Sequence, residues 1–117
     1  MISLEKQCRE MWGRRICSRD GQCLLCGSFV WHTAHHIVSV RHHATRFDLD
    51  NGVAVCWPCH QMQKVDEPGF TKRIIEKIGQ ERYDRLVAKS RQIVHLKEAD
   101  LRDILKELKG EKVEVTP

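Results

Sequence analysis

The sequence predicts an α+β fold in which two short strands and a helix are knit around a bound metal, with one helix before them and more helices after. Three observations predict it. Four of the six cysteines stand in two C-x2-C pairs, Cys23/Cys26 and Cys56/Cys59. Six of the seven histidines lie between Trp31 and Gln61. Both ends of the chain carry apolar residues at helical spacing, whereas the middle carries short β-branched runs. At 117 residues and 13.7 kDa, the chain has the size of a single domain, expected to span 1–117.

The elements follow in order. Ser3 reads as the N-cap of a helix from Leu4 to Ile16, with Leu4, Cys8, Met11, Trp12 and Ile16 on one face and Arg19-Asp20-Gly21 breaking it. Phe29 to Val38 reads as a strand, residues 39–50 as a polar loop, and Val53-Ala54-Val55 as a second strand. A helix opens near Pro58, where a missing N–H is harmless, and runs to Val65. Glu67-Pro68-Gly69 is expected to end it. Amphipathic helices follow around Phe70–Ile78, around Tyr83 up to Ile93, and from Asp100 to Leu108, and the chain is expected to fray from Glu107 to Pro117. The expected organisation is an N-terminal helix (1–19), a zinc-bound core (20–66) and a helical extension (69–117).

The net charge is +4, and no run approaches the ~18 apolar residues of a membrane span. The opening MISLEKQCREMWGRR has basic residues but no apolar core behind them, unlike a secretory signal. The expectation is a soluble cytoplasmic protein with no membrane partner. Residues 20–68 hold three Lys/Arg against five Asp/Glu, so the basic surplus lies in the flanking helices, which would supply phosphate contacts to a nucleic acid.

Disulfides are the poorer account of the cysteines in a reducing compartment. Two C-x2-C pairs instead suit a tetrahedral structural Zn2+, each pair gripping the ion from one tight turn. The 29 residues between the pairs exceed the short loop of a simple zinc ribbon and hold most of the histidines. Cys8 and Cys17 are expected to be buried, unliganded thiols. The resulting order is knuckle, strand, loop, strand, knuckle, helix. His35 and His36, adjacent in a strand, face opposite sides, and His60 follows Cys59 directly, so the zinc fixes its backbone. The zinc would thus be the scaffold for a second centre.

Cys23-x2-Cys26, His35-His36-Ile37-Val38, Asp50-Asn51-Gly52-Val53 and Cys56-x2-Cys59-His60 together resemble the HNH endonucleases, the ββα-metal or His-Me finger nucleases. The phage-type members, including lambda-type recombination endonucleases, are the most similar. The resemblance covers about residues 13–66 and implies a zinc-stabilised ββα-metal, treble-clef-like core. It implies that His36 is the general base and that Asn51 orients it by fixing the loop. His35 and His60 would hold a catalytic divalent ion, His60 standing nine residues after Asn51. Where the family commonly has Asp, this chain has His35. An uncharged imidazole set favours manganese, nickel or cobalt over magnesium. The implied activity is hydrolysis of DNA phosphodiester bonds, by nicking or double-strand cleavage, leaving 5′-phosphate and 3′-hydroxyl.

These residue types suit that chemistry. A neutral imidazole, with an ordinary pKa of ~6.5, can take a proton from water at physiological pH. Two protein ligands leave positions open for phosphate and water, unlike a closed four-thiolate site. Arg41, His43 and Arg46 in the loop are candidate DNA phosphate contacts, with Phe47 anchoring the loop to the core. His32 is expected to sit on the outer strand face or to support the fold, and His95 to be superficial. A monomer engages one phosphate at a time and would nick, whereas a homodimer could cut both strands. The rival readings are a catalytically silent, zinc-stabilised nucleic-acid-binding module and a zinc-knit protein-interaction module.

Overall fold

The Ser3 hydroxyl accepts from the Lys6 N–H at 3.1 Å and starts helix α1 (Leu4–Asp20). Gly21, at φ 71°, ends it by returning its N–H to the Cys17 carbonyl. The helix therefore runs four residues past Ile16, and its buried stripe is Cys8, Trp12 and Ile16. The computed structural model describes residues 2–30 and 32–110. The fraying expected from Glu107 does not begin there, because Glu107 and Leu108 are still helical and Leu108 is buried. Its remainder, 111–117, and the place of Trp31 lie outside the described residues.

Strands β1 (His32–His36) and β2 (Gly52–Cys56) form an antiparallel hairpin that pairs His32 with Cys56, His35 with Val53 and His36 with Gly52. β1 is shorter than the Phe29–Val38 strand expected. Before it, Phe29 and Val30 are largely exposed, because this stretch closes the first cysteine turn (Cys23 N–H to Ser28 O, 2.8 Å). After it, the Val38 N–H bonds to the Asn51 side chain rather than to a strand. All five residues of β2 are buried. A short 3-10 turn, Leu49–Asn51, leads into β2. Gly52 has an extended backbone, so left-handed freedom is not why glycine stands there. A Cβ would fall 2.5 Å from the Trp12 ring and 2.7 Å from Ile16 Cδ1, and α1 could not lie so close to β2.

Helix α2 (Trp57–Val65) starts at Cys56 and carries Pro58 in its first turn. It ends at Val65, as expected, but Glu67-Pro68-Gly69 is not the break between helices; these residues begin α3 (Glu67–Ile78). The break falls one residue earlier, at Asp66, whose carboxylate caps the Gly69 N–H at 3.1 Å, and Pro68 in the first turn lacks only an N–H that would have been unpaired. Helix α4 (Gln80–Ser90) stops short of Ile93, which is 89% exposed and has nothing apolar to pack on. Helix α5 (Glu98–Leu108) starts two residues before Asp100, whose carboxylate accepts from the Lys97 N–H at 2.9 Å.

The hairpin lies between two apolar clusters. On one side Cys8, Trp12, Ile16 and Phe47 pack with Leu105 and Leu108 of α5; on the other, Leu25, Val53, Val55 and Cys56 pack with Phe70 and Ile74 of α3. Each such side chain contributes roughly 1.5–3 kcal/mol by leaving water. Phe47 thus anchors its loop, as expected. Cys8 is buried and its Sγ meets the Leu101 carbonyl at 3.3 Å, but Cys17 is only half-buried, because it sits off the packed stripe of α1. Burial, then the charge of Glu5 for Cys8 and of Asp20 for Cys17, pushes both thiols up, which suits unliganded groups. No helix among the described residues is long and apolar enough to cross a membrane.

Candidate metal centre and imidazole cleft

The four paired cysteines converge. Their Sγ atoms all lie within 4.8 Å of one another, with Cys26 and Cys56 3.5 Å apart. That separation is far beyond a disulfide bond of about 2.05 Å and close to the roughly 3.8 Å edge of a tetrahedron with zinc–sulfur bonds of about 2.3 Å. Burial acts to raise the Cys23 thiol, but N–H groups of Cys56, Cys26 and Leu25 outweigh it and lower it to about 6. The Leu25 and Cys26 N–H groups each meet Cys23 Sγ at 3.4 Å. Burial first, and then the neighbouring sulfurs, pushes Cys59 well up. Four thiolates this close repel one another unless a cation sits among them. The donor set therefore fits a structural Zn2+-type site, and it ties the first turn to the start of α2.

At the end of β1, His35 and His36 diverge as alternation requires. The His35 ring lies 5.5 Å from that of His60 and edge-on to Phe70 at 5.0 Å. Burial, followed by the charges of His60 and His36, lowers His35 to about 4. His36 stacks on Trp12, ring centroids 3.9 Å apart and planes within 10°. Its Nε2 lies 2.9 Å from the Arg46 carbonyl. A carbonyl only accepts, so Nε2 carries the proton and Nδ1 is left as the ring's acceptor. Burial lowers His36 too, with the Arg46 and Arg9 charges adding to it against the raising effect of the Arg46 carbonyl. His35, His36 and His60 line one cleft of about 420 Å³, so three of the predicted site histidines are brought together.

Asn51 is fully buried, and its side chain makes no hydrogen bond to His36. Its Oδ1 accepts from the Val38 N–H at 2.8 Å, and its Nδ2 donates to the Val38 and Thr45 carbonyls at 3.0 and 3.1 Å. It clamps both ends of the loop whose next residue, Arg46, offers the carbonyl that holds His36. The loop residues divide. Arg41 is exposed. Arg46 is engaged within the chain, donating to the Val40 carbonyl at 2.8 Å and to Glu5 at 2.7 Å. His43 lies apart from the imidazole cleft, in a pocket between the loop and the C-terminal helices, with its Nδ1 buried and unpaired. His32 bonds the Ser28 carbonyl and supports the cysteine turn, and His95 is exposed, both as expected.

A family model described as "NinG: Bacteriophage Lambda NinG protein" matches residues 3–116. The chain belongs to the NinG family. No curated protein and no solved structure matches it. Membership in this nuclease-associated phage family and the tetra-cysteine cluster together support a nuclease-like role on DNA.

In this NinG-family chain, several residues that shape the cleft had no signal in sequence. Trp12 reads only as a core residue of α1, yet it is the wall behind His36, held by its Nε1–H donating to the Asp48 carbonyl at 2.9 Å. Arg19 donates to the Leu49 and Gly52 carbonyls, and Arg82 of α4 donates to the Asp50 carbonyl at 2.7 Å. Two guanidinium groups from distant helices thus hold the turn that carries Asn51. Sequence distance hides such contacts; only the basic character of these helices was visible.

The lowered His35 makes fold stability depend on pH. Its folded value, about 4, lies below the ordinary ~6.5, so the unfolded chain takes up the proton first. Stability is therefore full above pH ~6.5 and falls as pH drops toward 4, by up to ~1.4 kcal/mol per pH unit. With one equivalent of zinc, the urea midpoint should fall from pH 7 to pH 5.5, and His35→Gln should flatten much of that slope. Identical slopes in the two proteins would refute the assignment.

Proposed function

We propose that this chain is a metal-dependent DNA endonuclease of the HNH type, with the zinc-stabilised ββα-metal arrangement that the motif order implies. The observation that carries the reading is the state of His36. The Arg46 carbonyl accepts from its Nε2–H and the Trp12 ring fixes its plane, burial disfavours the protonated ring, and Nδ1 is left as the acceptor, in the cleft shared with His35 and His60.

In this reading His36 takes a proton from the attacking water. Asn51 acts as a positioning residue by holding the loop that aims His36. His35 and His60 are the side chains that would hold a catalytic divalent cation. His35, lowered to about 4, is unprotonated at neutral pH, and imidazole nitrogens suit Mn2+, Ni2+ or Co2+ better than Mg2+. Such a cation supplies charge stabilisation for the phosphoryl oxygens and the leaving 3′ oxygen. The expected products are 5′-phosphate and 3′-hydroxyl ends. Arg41, on the exposed loop, is the best placed of the three candidate phosphate contacts, while Arg46 serves as a clip between loop and α1.

Supercoiled plasmid incubated with the zinc-loaded protein and Mn2+ tests the reading. Relaxed or linear DNA is expected from the wild-type chain, and none from His35→Ala or His60→Ala. DNA binding without breakage in all three would support a silent binding module, and no DNA affinity would leave a protein-interaction module.

A further inference from the structure

The imidazole cleft has a carboxylate at its edge. Glu67 lines it together with His35, His60, Gln63 and Thr71, and among the described residues it is the only acid to do so. Its position follows from α3. Phe70 packs edge-on against His35 and, at 6.4 Å, against His60, which fixes the rotation of the helix. Glu67 and Thr71 are four residues apart, hence on one face, and that face is the one turned to the cleft. The neighbouring carboxylate, Asp66, is engaged in capping the Gly69 N–H. Glu67, by contrast, is exposed and makes no ion pair or side-chain hydrogen bond with the described residues.

The chemistry of the cleft lacks something that Glu67 has. A divalent cation held by two neutral imidazoles keeps its whole charge, and apart from Glu67 the remaining lining is the His36 imidazole and apolar, hydroxyl or amide groups. Such a site would rely on the DNA phosphate alone for counter-charge. We propose that Glu67 is the outer carboxylate of the His35–His60 cation site, reaching the ion through an intervening water. The indirect reach follows from distance: the cysteine cluster is the one group of three or more potential ligand side chains, among the described residues, whose ligand atoms lie within 4.8 Å of one another, so Glu67 does not close on both imidazoles directly. A carboxylate at one remove raises affinity and hardens the site toward oxygen-preferring ions, offsetting the substitution of His35 for the commoner Asp. Glu67 is thus a positioning residue for the cation.

This inference rests on the reading of His35 and His60 as cation ligands, and the test separates the two. Mn2+ is titrated into the zinc-loaded protein without DNA, and free Mn2+ is followed by electron paramagnetic resonance. Wild type is compared with Glu67→Gln, His35→Ala and Glu76→Gln, the last removing an acid on the same helix outside the cleft lining. Glu67→Gln is expected to weaken Mn2+ binding by about tenfold, with a larger loss for Mg2+ measured by competition, while Glu76→Gln binds as wild type does. Thermal unfolding of Glu67→Gln should match wild type within a few degrees, since Gln keeps the size of the side chain. If His35→Ala weakens Mn2+ binding but Glu67→Gln does not, Glu67 is wrongly assigned and the ligand pair stands. If Glu67→Gln and Glu76→Gln weaken it equally, the effect is one of net charge and the inference fails. If His35→Ala binds Mn2+ as wild type does, the ligand pair and the inference fall together.

Discussion

His36→Ala is expected to lose plasmid breakage by ~10²–10⁴-fold while keeping its fold, because a positioned general base contributes about that much to a hydrolytic step. The folding cost is small by comparison. The substitution removes one stacked pair, worth ~0.5–1.5 kcal/mol, and one hydrogen bond to the Arg46 carbonyl, worth ~1 kcal/mol. His36 is only part-buried, so water can fill the space and satisfy that carbonyl. The variant should therefore show wild-type circular dichroism and wild-type affinity for uncleaved DNA. Breakage close to the wild-type rate would show that another group takes the proton from water. The acid limb of the wild-type rate should fall below the ordinary imidazole value, since burial lowers His36 and it stays unprotonated to lower pH. An acid limb above the ordinary imidazole value of ~6.5 would again point to a different base.

Removing the zinc should unfold the core. A structural zinc contributes ~10–16 kcal/mol of apparent binding energy, comparable with the ~5–15 kcal/mol total stability of an ordinary domain. Here the cluster closes a span from Cys23 to Cys59 and joins the first turn to both β2 and α2. Two strands of five residues each cannot hold a hairpin together without such support. Chelation, or Cys56→Ser, is expected to abolish amide protection in the hairpin, with α1 and α5 losing their packing surface in turn. Helical signal should fall only in part. A chelated protein that retained hairpin protection would show that the two apolar clusters suffice without metal.

The helices were legible because their cause is local. The Ser3 cap, the Cys8-Trp12-Ile16 stripe and the Leu105-Leu108 face repeat at helical spacing, and that spacing survives into the structure. The misplaced boundaries have local chemistry that could be read two ways. Glu67-Pro68-Gly69 looks like a terminator, but Asp66 before it is a cap, and a proline after a cap opens a helix. Phe29 and Val30 look like a strand, yet the hydrogen bonds that close the cysteine turn leave no room for pairing. Ile93 continues the periodicity of α4 with no apolar surface for it to meet.

By itself the sequence determined the tetrathiolate cluster, the helices and the concentration of histidines between Trp31 and Gln61, because ligand spacing and periodicity are properties of neighbours along the chain. Only the tertiary structure decided that Trp12 backs His36, that the Arg46 carbonyl sets its protonated nitrogen, and that Arg46 itself turns away to Glu5. It also placed Glu67 in the lining of the cleft with His35, as the first residue of α3 rather than part of a break between helices. A proton's position on an imidazole depends on which acceptor lies within 3 Å of each nitrogen, and here that acceptor comes from a loop ten residues away, held by an amide five residues further on. Such contacts form only when the chain closes on itself, so no local pattern could carry them.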